Sequence, residues 1–307
     1  MVGRSTDRVL EKMRANLDRG AFYEAQQMLK TVYFRYRSRR LYQESYDVLE
    51  DGACLQLRQG QVTCGVELGR LLVDAYASDA VPADKAAVAR LYRILDALPC
   101  DPGTATQQTY AEEATRMVLA TLKWARKQGA DVAAAELHDW LARYLWEGQG
   151  VAALAAASVH WAHGRDPEAF ASALVEASRQ GGPTEEDLFL ARAVLQVLAA
   201  GTPKQRTART AHVRRLLLAY ENLRGGGMPD TPLAHYTGLV PKAVRCGELG
   251  LVRLLRRYYA AALARDPALG ALADRLEGAC FGVAQPGLGG MLGDMMQALL
   301  AGEDDGS

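Results

Sequence analysis

The stretch Gly20-Ala-Phe-Tyr-Glu-Ala-Gln-Gln-Met-Leu-Lys-Thr-Val-Tyr-Phe-Arg-Tyr-Arg37 reads as one amphipathic helix. Phe22, Ala25, Leu29, Val32 and Tyr36 recur at steps of three and four residues, which puts them on a single helical face. Gly20 stands just before it, where a left-handed residue can end the preceding helix. Four cations follow, Arg35, Arg37, Arg39 and Arg40, with no acid between Ala25 and Gln43. One helix thus carries a packing face and a candidate docking face.

Working outward, Tyr23-Glu24-Ala25 and Tyr42-Gln43-Glu44-Ser45 lie about 20 residues apart, and Val62-Thr63-Cys64-Gly65 takes the equivalent place after about 20 more. Helix, short turn, helix, at a period near 40 for each pair, is the signature of an α-solenoid. Ser5 or Thr6 can cap a first helix bearing Val9, Leu10, Met13 and Leu17. Helices are predicted over 21–37, 41–57 and 62–77, then one opened by Pro82 and closed by Pro99. The turn Cys100-Asp-Pro-Gly-Thr104 precedes a long helix to about Gln128, and others fall near 131–147, 151–163 and 166–180. Thr184 starts the next, Thr202-Pro203 starts one ending at Arg224, and further helices fall near 233–246, 249–264, 267–281 and 288–300. Gly225-Gly-Gly-Met-Pro-Asp-Thr-Pro232 is the clearest break, a flexible joint or a tight insertion. The expected fold is all-α, a right-handed α-solenoid of TPR-like helical hairpins with about 14–15 helices. Its halves are expected at 1–150 and 151–300, with 301–307 a disordered acidic tail.

Composition agrees. Ala, Leu, Arg and Glu dominate and 49% of residues are hydrophobic, so the chain can bury a large core. The N-terminus has no apolar signal-peptide region, and no apolar run approaches the ~20 residues that span a bilayer. Five cysteines, none in a Cys-x-x-Cys pair, read as buried thiols of a reducing compartment. A soluble, cytosolic protein is expected. The formal net charge of zero hides segregation: residues 200–265 carry twelve Lys/Arg against three Asp/Glu, and 61–199 carry twelve against eighteen. Such segregation favours oriented docking of charged partners.

The search for chemistry returns structural readings. His160-x-x-His163 has no third ligand at a metal-site spacing and reads as a partly buried polar pair; His138, Asp139 and Trp140 read as surface or satisfied positions. Gly287-Leu-Gly-Gly-Met-Leu-Gly293 fails the dinucleotide fingerprint at Leu292 and lacks the Lys-Ser/Thr of a phosphate loop. The cations Lys204, Arg206, Arg209, Arg214 and Arg215 have one nearby aromatic, Tyr220, so a solvated face or an acidic protein partner is favoured over nucleic acid. Met291, Met295 and Met296 read as core filler or as a helical seam for a partner. No catalytic residue, metal or cofactor is assigned.

Tyr23-Glu24-Ala25-x-Gln27-x-x-x-Thr31-x-x-x-Arg35-Tyr36 resembles the opening of the Golgi-to-ER traffic protein four family. The likeness continues at Gly52-Ala53, in Glu186-Asp-Leu-Phe-Leu-Ala-Arg-Ala-Val-Leu-Gln196, and in Phe281-Gly-Val-x-x-Pro286 with Gly289-Gly-Met-Leu-Gly293. The resemblance implies a non-enzymatic adaptor of the guided-entry pathway, which delivers tail-anchored membrane proteins to the ER. Its N-terminal half would dock on the targeting ATPase, and its C-terminal half would grip a ubiquitin-like partner. On the ATPase side it implies Tyr23, Arg35, Tyr36, Arg37 and Arg39, with Glu67 and Asp74 as a regulatory contact. On the ubiquitin-like partner's side it implies Phe281, Val283, Met291 and Leu292. Neither nucleic acid nor direct membrane insertion is expected. The residues alone leave open a helical-repeat scaffold of another cytosolic complex, or an RNA-binding solenoid.

Overall fold

The computed structural model describes residues 11, 15–16, 19–182 and 185–283. Among these every regular element is helical. The α-helices, in order, are α1 (Phe22–Ser38), α2 (Tyr42–Arg58), α3 (Val62–Ser78), α4 (Lys85–Leu95), α5 (Thr106–Lys127), α6 (Asp131–Gln149) and α7 (Leu154–His163). They continue as α8 (Pro167–Gln180), α9 (Glu186–Ala199), α10 (Arg206–Arg224), α11 (Pro232–Cys246), α12 (Leu249–Tyr258), the single turn α13 (Ala260–Leu263) and α14 (Pro267–Phe281). The chain forms two compact units, 1–137 and 138–307, divided within α6.

The first unit is a run of helical hairpins in which α1 packs on α2, α2 on α3, and α3 on α5, while α1 also meets α3 and α2 meets α4. This is the all-α solenoid pattern that the 40-residue period predicts. Ala25, Leu29, Val32 and Tyr36 are buried as the stripe requires, joined by Gln26 and Tyr33; Phe22 is only half-buried. Gly52 explains the close approach of α2: a Cβ there would lie 2.5 Å from Leu29 Cδ1.

The turns repeat too. Gly20, Arg40, Gly60 and Ala80 all take positive φ, at 76°, 57°, 72° and 51°. After each, the next residue's amide donates to the carbonyl five positions back: Ala21 to Asn16, Leu41 to Tyr36, Gln61 to Gln56 and Val81 to Tyr76. A left-handed residue thus closes each helix and restarts the chain in the same phase every 20 residues.

The second unit stacks less regularly. There α8 packs on α10, α9 on α7, α11 and α14, and α12 on α11 and α14. Asp166 and Asp266 cap α8 and α14, each helix beginning with proline. The Gly225–Pro232 break is a tight insertion: Arg224 donates to the Gly227 carbonyl (2.9 Å), and Thr231 caps α11 while donating to Asp187 (2.8 Å).

Several expectations need correcting. Pro82 lies outside α4, which Asp84 starts by accepting from the Ala86 and Ala87 amides; a side-chain cap outweighs the first-turn preference of proline. That helix ends at Leu95, short of Pro99. The helix expected over 249–264 breaks at Tyr259 into α12 and α13, and Pro203 opens a 3₁₀ turn before α10. Thr184, the first helix's Val9, Leu10, Met13 and Leu17, the 288–300 helix and the 301–307 tail lie outside the described residues.

The turn geometry is directly testable. Left-handed backbone costs a side-chain-bearing residue roughly 1 kcal/mol that glycine avoids. Ala80→Gly should raise stability to urea by up to about 1 kcal/mol and Gly60→Ala should lower it by a similar amount. Equal destabilisation by both would refute the left-handed assignment.

Candidate functional site

The exposed side of α1 is the first candidate surface. Tyr23 and Phe34 stand eleven residues apart, three helical turns, and are 66% and 60% exposed. Gln27 and Thr31 continue the same exposed line between them. Phe34 is missing from the residues expected on this side, although like Tyr23 it is an aromatic residue that falls off the buried stripe.

α3 borders this surface. Glu67 accepts hydrogen bonds from Gln26 Nε2 (2.7 Å) and from Lys30, and these bonds hold its carboxyl below the usual range, Lys30's being the larger effect. Arg37 pairs with Asp79 through both terminal nitrogens, Nη2 at 2.7 Å, while Tyr46 donates to the same carboxylate. Residues 30 with 67 and 37 with 79 fix α1 and α3 side by side, running in the same direction. The exposed Asp74, two turns beyond Glu67, therefore shares the α1–α3 surface.

The structure sorts the seven residues expected on this side. Tyr23, Arg35 and Arg39 are exposed on α1 or just after it, and Glu67 and Asp74 are exposed on α3. Tyr36 is buried, 3% exposed, and supports the surface from within. Arg37 turns inward onto Asp79, so it belongs to the α1–α2–α3 frame rather than to an outward cation cluster.

At the other end, Phe281 and Val283 are half-buried where α14 stops, with the Arg206 guanidinium over the Phe281 ring at 5.8 Å. Met291 and Leu292 lie outside the described residues. Half of the twelve Lys/Arg of the basic region from 200 to 265 are engaged. Arg215 pairs with Glu168, Arg224 with Glu186, Arg253 with Glu277, Arg256 with Asp274, and Arg265 with Asp187. Arg209 is mostly buried and donates to the Ala162 carbonyl (2.7 Å). These six cations stitch helices of the second unit together, a structural use that needs no nucleic-acid partner.

His138 and His160 are buried and His163 is half-buried. His138 Nδ1 lies 2.8 Å from His160 Nδ1, and His163 stacks on His138 with centroids 5.0 Å apart. Asp139 accepts from the Arg165 amide (2.7 Å) and the Asp166 amide (3.3 Å), which holds the turn before α8. Burial pushes its carboxyl up to about 6. Among the described residues no group of three His, Cys, Asp or Glu could hold a metal ion, and no helix is long and apolar enough to cross a membrane.

The profile of the family described as Golgi to ER traffic protein 4 matches residues 39–300, so the Tyr23–Tyr36 opening lies outside that match. The Golgi to ER traffic protein 4 homolog of Oryzias latipes is 31% identical over 307 residues, covering 97% of this chain and 89% of its own. The Homo sapiens homolog is 28% identical over 301 residues (97% and 88%), and Protein GET4 of Arabidopsis thaliana 26% over 311 (94% and 95%). The crystal structure of C. therm. Get4 shares the fold, with a TM-score of 0.71 at 24% identity, covering 97% of this chain and 96% of that one.

Two outcomes check these assignments. Arg37→Glu sets a carboxylate against Asp79 and leaves a partly buried charge unpaired, so it should cost about 2–3 kcal/mol; Arg35→Glu with Arg39→Glu should change the melt little, as exposed charges do. Comparable losses in both variants would overturn the inward assignment of Arg37. Asp139, whose folded pKa is raised, contributes stability that is present below about pH 4 and lost as pH rises through about 6. The parent's urea stability relative to Asp139→Asn should therefore fall between pH 4 and 7 by on the order of 2 kcal/mol. A pH-independent difference would show that the carboxyl titrates normally.

Proposed function

The chain belongs to the Golgi to ER traffic protein 4 family, and from that premise we propose that it is a non-enzymatic adaptor of the guided-entry pathway for tail-anchored proteins. It bridges the tail-anchored-protein targeting ATPase and a ubiquitin-like partner in the cytosol, promoting transfer of tail-anchored proteins for insertion into the ER. It neither enters the membrane itself nor binds nucleic acid. The N-terminal half takes the ATPase and the C-terminal half takes the ubiquitin-like protein. The observation that carries the first contact is the exposed side of α1, where Tyr23 and Phe34 stand out, with Arg35 and Arg39 exposed near its end and Glu67 and Asp74 exposed on the neighbouring α3.

Exposed aromatics on a rigid helix supply contact area at little entropic cost, and such residues concentrate binding energy. The mixed charges around them suit orientation and discrimination more than raw affinity. Tyr36 and Arg37 act from beneath, holding the surface on its frame. On the second contact, Phe281 and Val283 sit with Met291 and Leu292 in the stretch that carries the family likeness, and they form the ubiquitin-like partner's side.

The experiment is association kinetics on the full chain. Arg35→Glu with Arg39→Glu should slow ATPase association about tenfold at low salt and flatten its salt dependence, because electrostatic steering reverses sign. Tyr23→Ala with Phe34→Ala should instead speed dissociation, by tenfold or more if both are anchors. The ubiquitin-like partner should bind all variants as it binds the parent. Unchanged ATPase kinetics in folded variants would remove this surface from the reading.

A further inference from the structure

Ser38 closes the exposed line that runs along α1. Tyr23, Gln27, Thr31, Phe34 and Ser38 follow one another at four, four, three and four residues, so they share one face, and all five are exposed. Ser38 is also the last residue of the helix, where its Oγ donates to the Arg35 carbonyl (2.9 Å). Arginines surround it in sequence: Arg35 three residues before, Arg37 one before, Arg39 and Arg40 one and two after. Arg37 is held by Asp79, whereas Arg35, Arg39 and Arg40 are exposed.

We propose that Ser38 is a phosphorylation site for an arginine-directed serine kinase, and that the phosphate weakens docking on α1. The first clause stands on Ser38 and its surroundings alone; the second rests on the adaptor role proposed above. In the transfer, Ser38 Oγ attacks the γ-phosphorus of ATP and its proton passes to the kinase's catalytic carboxylate. An Oγ–P bond forms, the bond from that phosphorus to the β–γ bridging oxygen breaks, and ADP leaves.

Recognition and access both favour this hydroxyl. Kinases select substrates by charge pattern, and a cleft lined by carboxylates reads guanidinium groups on either side of the acceptor. Ser38 offers three exposed ones. The end of a helix also lacks the onward hydrogen bonds that hold its interior, so its last turn opens at the least cost. Thr31, on the same line, sits in the middle of α1 with its hydroxyl on the Gln27 carbonyl (2.9 Å). Thr207, exposed at the start of α10, has Lys204, Arg206 and Arg209 nearby in sequence. Two of those cations are in use, Arg209 on the Ala162 carbonyl and Arg206 over the Phe281 ring.

The phosphate changes the face itself. It carries about −1.5 to −2 charges at pH 7, which brings the three exposed cations from a triple positive charge to about one. Arg35, three residues back on the helix, is within pairing reach of it. Phe34, four residues back, then borders a dianion, and a partner that covers the ring must strip water from that phosphate. Negative charge at a helix C-terminus also opposes the macrodipole and loosens the last turn.

The test incubates the purified full-length protein with radiolabelled ATP and the catalytic fragment of protein kinase C, then maps the phosphate by mass spectrometry. The expected result is label on Ser38 of the folded chain, lost in Ser38→Ala and incorporated roughly tenfold more slowly in Arg35→Gln. No label, label confined to other residues such as Thr207, or label on Ser38 only after thermal unfolding would overturn the site and leave the adaptor role untouched. The phosphorylated protein should associate with the targeting ATPase about tenfold more slowly at low salt than the unmodified parent, the difference shrinking as salt rises. The same kinase treatment should leave the association rate of Ser38→Ala where it was before treatment. Equal association of phosphorylated and unmodified parent would overturn the effect on docking. Failure of the unmodified parent to bind the ATPase would instead sink the adaptor role, and the effect on docking with it.

Discussion

Leucine seated on glycine is the constraint on which the N-terminal unit depends. Leu29 of α1 fills the space above Gly52 of α2, and Leu57 of α2 does the same at Gly65 of α3, where an added Cβ would fall 2.5 Å from Leu57 Cγ. Gly69, further along α3, is covered by Met117 of α5 and Ile94 of α4. A glycine within a helix costs roughly 0.5–1 kcal/mol relative to alanine. Burying a leucine completely returns about 1.5–3 kcal/mol, and these leucines have no exposed area. The exchange is favourable only while neighbouring helices stay this close, so the seats set both the spacing and the angular phase of α1–α5.

That phase decides which polar groups meet. With a left-handed turn every 20 residues, a side chain on one helix faces the helix two further on, about 40 residues away. Gln26 and Lys30 reach Glu67, Arg37 reaches Asp79, and Glu50 receives Arg90 and Arg93. Arg35 lies two residues before Arg37, about 200° around the helix, and so points away from α3. One cation builds the frame and its near neighbour is left exposed. Spacing along the chain places the four arginines in one cluster, yet the helix divides them.

Much of this was legible in the residues, for identifiable reasons. The stripe through Ala25, Leu29, Val32 and Tyr36 is a periodic signal and needs no partner to be read. Gly20 and Gly60 announce left-handed turns, whereas Arg40 and Ala80 take the same conformation without any compositional mark. Arg37 was misleading because its partner lies 42 residues on and is chosen by the turn phase. Glu186 and Asp187, noted for family likeness, turn out to clasp Arg224, Thr231 and Arg265, which ties α9 to the insertion and to α13's far end. Buried histidines are the opposite case: neighbouring positions in sequence said nothing of the His138–His160 contact across 22 residues.

The charge segregation of residues 200–265 then acquires a cause other than a nucleic-acid partner. In a stack, each helix must satisfy groups presented by helices far away in sequence, so an arginine-rich stretch and acids elsewhere in the chain can be complementary parts of one helix stack. Glu168, Glu186, Asp187, Asp274 and Glu277 occupy the cations of α10, α12 and the α13–α14 turn in this way. What remains outward is set by subtraction. Tyr23 and Phe34 in the first unit, and Leu251, Leu254 and Tyr258 in the second, are large apolar groups that the stacking does not use. A frame whose helices are already tied by ion pairs can expose such groups without rearranging when something docks on them. Preorganisation of that kind reduces the ordering cost that association otherwise carries, and the proposed adaptor role rests on it.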